Sequence, residues 1–437
     1  MRIHIASHLF TPRPQGVFCA ELAEHWAAQG HDVVVFTADE GVAAQPSGGG
    51  KAAYRVVGGL PRQYGRTSLW DRLTSRLAFA RSAWAASSAE ARENGSPDLY
   101  LSGGALPAIA AVVQRWRNRG RRRDFYGVGN FGDFGSGAGN PVARQAICRP
   151  SLVVWLFDLW PDVLLAHRPS SWVIRWTVPL LSFALARLLT RVDSVVTISP
   201  AMTEIMRARV PTAHVHTIPL WAPNEGGAPR LSAMSEAEKE DGAPFRAVYH
   251  GNLGLSYDFD QILACACRFQ PSEVQFLLVG DGARKDALEA HIAREAIPNV
   301  RVCPPVSLDD LWHSLANADA YLLPLRETWD VVSFPSKLLA YLVGGRPIVV
   351  SGASDGETAR MVRDAQCGLT VPATGEGLEQ ALRWMIADRA TCRRFGRAGR
   401  HLYETRFAAQ RAFRAWDELI RSPPTRSTEP LQEQATS

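Results

Sequence analysis

Three short stretches of the 437-residue chain hold residues whose types and spacing could do chemistry. The first is Ser333-Phe334-Pro335-Ser336-Lys337, running on to Gly344-Gly345-Arg346-Pro347. Ser333 reads as an N-cap with Pro335 in the first turn, so a helix opens where Ser336 offers a hydroxyl, the backbone its unpaired amides and Lys337 a cation. That combination suits a diphosphate. Lysine is scarce, only Lys51, Lys239, Lys285 and Lys337, so an idle surface role for Lys337 is the weaker reading. The second stretch is His250-Gly251-Asn252-Leu253-Gly254, where two glycines let the backbone approach a ligand, or simply turn the chain. The third is Phe157-Asp158-Leu159-Trp160-Pro161-Asp162. A carboxylate at a strand end can hydrogen-bond sugar hydroxyls or act as a base, and spacing alone does not separate this from a helix cap. Gly280-Asp281-Gly282 lacks a full dinucleotide fingerprint.

The elements that must position these residues alternate. Residues 2–8 read as a strand, 17–29 as a helix closed by Gly30, and Asp32–Thr37 as a second strand, a βαβ opening. Further strands are expected at Asp98–Leu101, Leu152–Phe157, Ser194–Ile198 and His214–Ile218. The alternation restarts with Phe245–Tyr249, Val274–Val279, Val300–Val302, Ala320–Leu323 and Pro347–Val350. Ser307 and Asp310 carry an acidic variant of a capping box. The expected fold is α/β with two doubly wound parallel-sheet domains, whose ligands collect at the carboxyl ends of the strands. The expected division is 1–222, 223–402, a final helix at 403–421 and a disordered tail at 422–437, with the 223–244 stretch as linker.

Composition sets outer limits. At 46% hydrophobic and 21% charged residues the chain is of the globular type. Seven scattered cysteines without a Cys-x-x-Cys pair argue for a reducing compartment and against a disulfide framework or zinc site. No secretory signal is visible, which points to the cytoplasm. Trp172–Leu189 is strongly apolar, but Arg175, Pro179 and Arg187 interrupt it, and each mid-helix arginine costs about 2.5–3.5 kcal/mol in a membrane. It reads as an interfacial or core helix rather than a span. Residues 1–223 carry a net charge of +9 and the remainder −4. The densest basic run, Arg115, Arg117, Arg119 and Arg121–Arg123, suits an anionic membrane or an acidic substrate, or is a solvated loop. With no recognition motif beside it, nucleic acid is not an expected partner.

Taken together, these elements resemble bacterial glycosyltransferases of family four, the retaining type with the GT-B fold of two Rossmann-like domains facing across a cleft. The resemblance is carried in order by Asp158-Leu159-Trp160-Pro161, Ile198-Ser199-Pro200-Ala201-Met202, Ile218-Pro219-Leu220-Trp221, Gly251-Asn252-Leu253-Gly254, Ala318-Asp319-Ala320 and Pro335-Ser336-Lys337 through Gly345-Arg346-Pro347. It implies an acceptor-binding first domain, a second domain binding a nucleoside diphosphate sugar, and a last helix crossing back to the first. By the same similarity Gly16 lies near the donor phosphates, Asp158 faces the cleft, and Asn252, Leu253, Gly254, Ser333, Ser336 and Lys337 serve the donor. Members usually need no metal, so no catalytic cation or other cofactor is expected. The chain departs from the family pattern where two glutamates commonly stand, having Val332 and Ala340 instead. It also lacks the basic residue after Gly254 and has Gln15-Gly16 for a Gly-Gly pair. Glu327 and Asp330 are substitute carboxylates by proximity in sequence, and Arg326 a substitute cation.

The resemblance implies hexosyl transfer from a UDP or GDP sugar to a glycan or polyprenyl-linked acceptor in surface polysaccharide assembly, and the basic first domain with the apolar Trp172–Leu189 stretch points to peripheral contact at the inner face of the cytoplasmic membrane. Its rivals are a degenerate scaffold subunit, which would not turn over, and a nucleotide-sugar epimerase, which would act on the donor alone.

Overall fold

The computed structural model describes residues 1–9, 14–39, 54–60, 69–117, 150–167, 170–228, 242–330, 332–352 and 355–421. The arginines at 119 and 121–123, most of the expected linker and the expected tail lie outside the described residues.

Strands β1 (Arg2–Ser7), β2 (Asp32–Thr37), β3 (Arg55–Val57), β4 (Leu99–Gly103), β5 (Ser151–Leu156), β6 (Ser194–Thr197) and β7 (His214–Thr217) form a seven-stranded parallel sheet in the order β3-β2-β1-β4-β5-β6-β7. Between them run α1 (Pro14–Ala28), α2 (Leu69–Asn94), α3 (Ala105–Arg117), α4 (Val163–His167), α5 (Trp172–Leu189) and α6 (Pro200–Arg209). Covering both faces of a sheet with helices buries both sides of each central strand, and Ile3, Ile5, Val34, Leu101 and Val154 are all solvent-free.

A second, six-stranded parallel sheet follows, with β8 (Phe245–His250), β9 (Val274–Val279), β10 (Val300–Cys303), β11 (Ala320–Leu325), β12 (Ile348–Gly352) and β13 (Gly368–Val371) in the order β10-β9-β8-β11-β12-β13. Its helices are α7 (Asp260–Ala266), α8 (Lys285–Arg294), α9 (Leu311–Ala316), α10 (Lys337–Gly344), α11 (Glu357–Asp364), α12 (Gly375–Ala387) and α13 (Arg389–Leu402). Strand order reverses beside β1 in the first sheet and beside β8 in the second. Each reversal opens a crevice at the carboxyl ends of the strands.

The expected strands all form. The two unforeseen ones, β3 and β13, each lie at one edge of their sheet, and as Arg-Val-Val and Gly-Leu-Thr-Val neither carries the apolar run that marks a central strand. The final element also differs from its expected form. Residues Tyr403–Phe407 make a π-helical turn, and α14 begins at Ala409 and runs to Arg421.

The segment between the sheets is tied to both. Glu21 of α1 accepts from the Asn224 amide (2.9 Å) and from the Trp221 indole, while the Trp312 indole donates to the Asn224 carbonyl (2.9 Å). Tyr403 donates to Glu225 (2.9 Å) and accepts from the Ala222 amide (3.0 Å). Helix α14 then packs on the first domain, with Trp416 edge-on to Trp26 and Trp155 and Phe413 stacked on His25 at 4.4 Å. Asp417, 7% exposed, accepts from the Trp26 indole (3.1 Å) and the Gln29 amide (2.8 Å) and lies 3.1 Å from His25 Nε2.

Replacing Asp417 by alanine leaves the buried Trp26 indole without its acceptor and removes the partner of the less buried His25 and Gln29; an orphaned buried group costs about 1–3 kcal/mol. We expect Asp417→Ala to bring forward the first unfolding transition in urea, followed by tryptophan fluorescence. An unchanged midpoint would remove Asp417 as the clamp of α14.

Candidate active site

The reversal beside β8 sets two loops facing each other, residues 250–257 after β8 and 326–336 after β11, joined by an isolated bridge between Tyr257 and Leu325. A third loop, 280–284 after β9, lies against the first. The Gly251 amide donates to the Val279 carbonyl (2.8 Å), and the Leu253 amide to that of Asp281 (2.9 Å). The loops meet so closely that a Cβ on Gly280 would fall 1.9 Å from the Gly251 carbonyl oxygen, and one on Gly282 2.5 Å from Asn252 Oδ1. Gly280 and Gly251 also have φ of +150° and +124°, so glycine is required on both conformational and steric grounds. Asn252 is thereby held between Gly254 and Gly282.

Lys337 opens α10 and points at this loop. Its Nζ lies 3.8 Å from the Tyr249 ring centroid and 3.7 Å from that of Tyr257, and bonds to the Tyr249 hydroxyl. A Cβ at position 251 would sit 3.3 Å from the same nitrogen. Burial lowers the Lys337 pKa well below the ordinary lysine range. The two ring faces act in the opposite sense, each by about 0.5–2 kcal/mol. His250 beside it is pushed down to about 4 by burial and by the Lys337 charge, so its imidazole is neutral at physiological pH. Its Nε2 is buried and has no partner among the described residues.

These groups line a cavity of about 360 Å³. On one wall stand His250, Gly251, Asn252, Ser256 and Tyr257; on another Ser333, Phe334, Pro335, Ser336, Lys337 and Ala340; Val306, Ser307, Leu308 and Leu311 close a third. Val17 and Phe18 of α1 and Pro223 of the connecting segment complete it from the first domain. The cavity therefore lies in the cleft between the sheets, at the point their topology selects.

Of the residues singled out by sequence, Asn252, Ser333, Ser336 and Lys337 line this cavity. Gly16 is buried next to Val17, one residue short of the lining, and Leu253 and Gly254 are buried supports of the loop. Asp158 is half-buried beside the cavity. Its backbone pairs with Ser333 across the cleft, and the Leu159 amide donates to the Val332 carbonyl (2.9 Å). Burial raises the Asp158 pKa, with Arg76 pulling the other way.

Other expectations need correction. Ser333 does not cap α10; it is in extended pairing with Asp158, and the residue before the helix is Ser336, which makes no side-chain cap bond. Phe334 precedes Pro335, and the proline ring excludes the helical conformation from the residue before it, so the helix starts later. The shift places Ser336 and Lys337 on the cavity wall, while the Leu338 and Leu339 amides donate to the Pro335 (2.9 Å) and Ser336 (3.1 Å) carbonyls. Asp330 is no free carboxylate in the cleft: it is 5% exposed and accepts from the Thr358 hydroxyl (2.5 Å) and amide (3.3 Å) at the start of α11. Glu327 and Arg326 stand in a separate cavity of about 410 Å³, with His167, Asp258 and Thr328, and Arg326 Nη2 lies 3.5 Å from Asp258. Ser307 and Asp310 do pair reciprocally, the Asp310 amide donating to Ser307 Oγ (3.1 Å). Sequence reading missed Tyr249, Tyr257 and Trp329. The tyrosines are eight positions apart on different elements, and no spacing rule links them.

Comparison with known proteins agrees with this architecture. Residues 15–221 match the model of the glycosyl transferase 4-like domain, and residues 245–388 that of glycosyl transferases group 1. The chain belongs to this family of GT-B glycosyltransferases. It is 23% identical over 124 residues to the probable glycosyltransferase WbjE of Pseudomonas aeruginosa, a stretch that is 28% of this chain and 31% of that protein. It is 28% identical over 107 residues to the putative colanic acid biosynthesis glycosyl transferase WcaI of Escherichia coli, 24% of this chain and 26% of that one. The matches thus span less than a third of either relative. Among solved structures it is similar in fold to sucrose-phosphate synthase of Thermosynechococcus elongatus (TM-score 0.70, 16% identity, 97% and 98% of the two chains). It is also similar to Anabaena HepE in complex with UDP-glucose (TM-score 0.66, 14% identity, 97% and 100%).

The half-buried, desolvated Lys337 makes a pH prediction. A base whose folded-state pKa is lowered is protonated in the unfolded chain while neutral in the folded one between the two values, so stability rises with pH across that window, up to the unfolded pKa near 10.4. We expect Lys337→Met to be more stable than wild type at neutral pH, by a margin that shrinks as pH rises to 10. A margin constant with pH in paired denaturation curves would contradict the burial of this amine.

Proposed function

We propose that the chain is a retaining glycosyltransferase that moves a hexose from a UDP or GDP sugar to a glycan or lipid-linked acceptor during assembly of a surface polysaccharide, on the inner face of the cytoplasmic membrane. The observation that carries this reading is that Lys337, Ser336 and the glycine-built loop line one cavity in the cleft. The complex of HepE with UDP-glucose and the colanic acid role in the name of WcaI support it.

The diphosphate would rest against the start of α10, with Lys337 supplying positive charge and no metal ion required. The nucleoside would extend toward Val306–Leu308, where Ala340 offers ribose no carboxylate. In the reaction the bond from the anomeric carbon to the β-phosphate oxygen breaks, and the acceptor hydroxyl oxygen bonds to that carbon on the same face. The acceptor proton passes to the departing phosphate, so the protein's part is positioning and charge stabilisation. Asp158, at the cleft edge of the first domain, would hold sugar or acceptor hydroxyls. Ala340 on the cavity wall also favours a second reading, a partner subunit that binds donor without turning it over.

Calorimetry with UDP and GDP in EDTA is the direct test. One of the two should bind wild type, and Lys337→Ala should weaken it about 10- to 100-fold, the scale of a lost charge-assisted hydrogen bond. Binding of neither, or binding only when a divalent cation is restored, would sink the proposed donor site. Asp158→Asn should lower kcat about 100-fold with donor affinity kept; full turnover in that variant would remove its role. Donor binding without transfer to any acceptor would favour the subunit reading.

A further inference from the structure

Helix α5 presents an apolar face to solvent. Trp172, Trp176, Leu180 and Phe183 are 74%, 75%, 72% and 63% exposed, values that large apolar side chains rarely show together on a soluble surface. At about 100° per residue these four and Arg187 fall within an arc of about 80°. The three buried residues, Val178, Leu185 and Leu189, lie on the opposite side and hold the helix against the first domain, where it packs on α3 and α4. The helix is thus split into a docked stripe and an unpartnered one.

We propose that the exposed stripe of α5 is a monotopic membrane-docking surface that lies in the headgroup region of an anionic bilayer. Charge selects this occupant over a protein partner. Arg175 and Arg187 are both exposed on the helix, which contains no acidic residue. The Arg187 guanidinium sits 5.3 Å from the Phe183 ring centroid, so cation and apolar anchor are presented side by side. Tryptophan and arginine at one level match the boundary between acyl chains and phosphates. The same features exclude a span. The helix is long and apolar enough by composition, 18 residues with mean hydropathy 1.4, but inserting it would pull Val178, Leu185 and Leu189 out of the domain core. Lying flat, it submerges one face and keeps the other packed. This contact would serve the lipid-linked acceptor proposed above, yet it requires neither donor nor acceptor.

The full chain is therefore floated, without nucleotide, on phosphatidylcholine vesicles with and without phosphatidylglycerol. Wild type should float with the anionic vesicles, and Trp172→Ser/Trp176→Ser/Phe183→Ser should partition about tenfold less or weaker still, on the scale of lost side-chain burial. Arg175→Glu/Arg187→Glu should lose the preference for phosphatidylglycerol. Quenching by brominated lipid should report Trp172 and Trp176, disappearing in Trp172→Phe/Trp176→Phe. A urea midpoint equal to that of wild type shows that the triple variant is folded without calling on the donor site, and so separates this test from that of nucleotide binding. Failure of wild type to float, or equal flotation of the triple variant, would overturn the proposal. So would a dimer in sedimentation that the triple variant abolishes while flotation is absent, since the stripe would then belong to a second copy.

Discussion

Everything at the candidate site depends on one backbone contact, the approach of the loop after β9 to the loop after β8. Only at glycine does a chain have the room and the positive φ that Gly251 and Gly280 adopt. That contact fixes the Gly251 carbonyl, which fixes the turn that carries Asn252, and it leaves beside Gly251 a gap that the end of Lys337 fills. A side chain at Gly280 would collide with the Gly251 carbonyl and move the loop outward, whereas one at Gly251 would press on the end of Lys337. The cavity wall is therefore set by the absence of side chains as much as by their presence.

The second constraint is on the relative placement of the two sheets. The connecting residues 221–225 are bonded from three directions, by Glu21 of the first domain, by Trp312 of the second and by Tyr403 at the return of the chain. Glu21 is largely buried, and desolvation raises its pKa, opposed by the bonds it accepts. Such a knot lets the domains meet over a small surface, the extended pairing of Asp158 with Ser333 and the packing of His167 edge-on to Trp329 at 4.8 Å, while the cleft beside it stays open. Cleft walls come from both domains because α14 crosses back and holds them at that spacing.

Much of this was legible in the sequence, and the remainder failed for identifiable reasons. Buried parallel strands announce themselves as short apolar runs, and each central strand was read within a residue or two. β3 and β13 were missed because Arg55–Val57 is only three residues long and Gly368–Val371 opens on a glycine and holds a threonine, so neither carries an apolar run. Pro-Ser-Lys and the glycine loop pointed correctly to one cavity, since both are local signals at strand ends. Ser333 misled because its side chain type favours a cap while Pro335 forbids the helix to begin there, a conflict that backbone sterics decide. Asp330 and Glu327 were drawn in by nearness along the chain, but a 3₁₀ turn at Glu327–Trp329 sends one into the start of α11 and the other into a neighbouring pocket. Tyr249 and Tyr257 matter only together, and their meeting is a property of the fold.

Lys337 is the group for which a purely structural explanation is hardest to sustain. A desolvated ammonium is tolerated where a carboxylate compensates it, and Lys337, half-buried on the cavity wall, has none among the described ion pairs. Its neighbours are two tyrosine faces and a neutral imidazole, which soften the cost of the charge without matching it. A methionine would fill the same space and stabilise the free protein. An anion entering the cavity would favour the charged form of Lys337 and oppose the lowering of its pKa by burial. A lysine kept on this wall without a carboxylate partner is the pattern expected of binding machinery, and under the function proposed above donor entry would favour its protonated form.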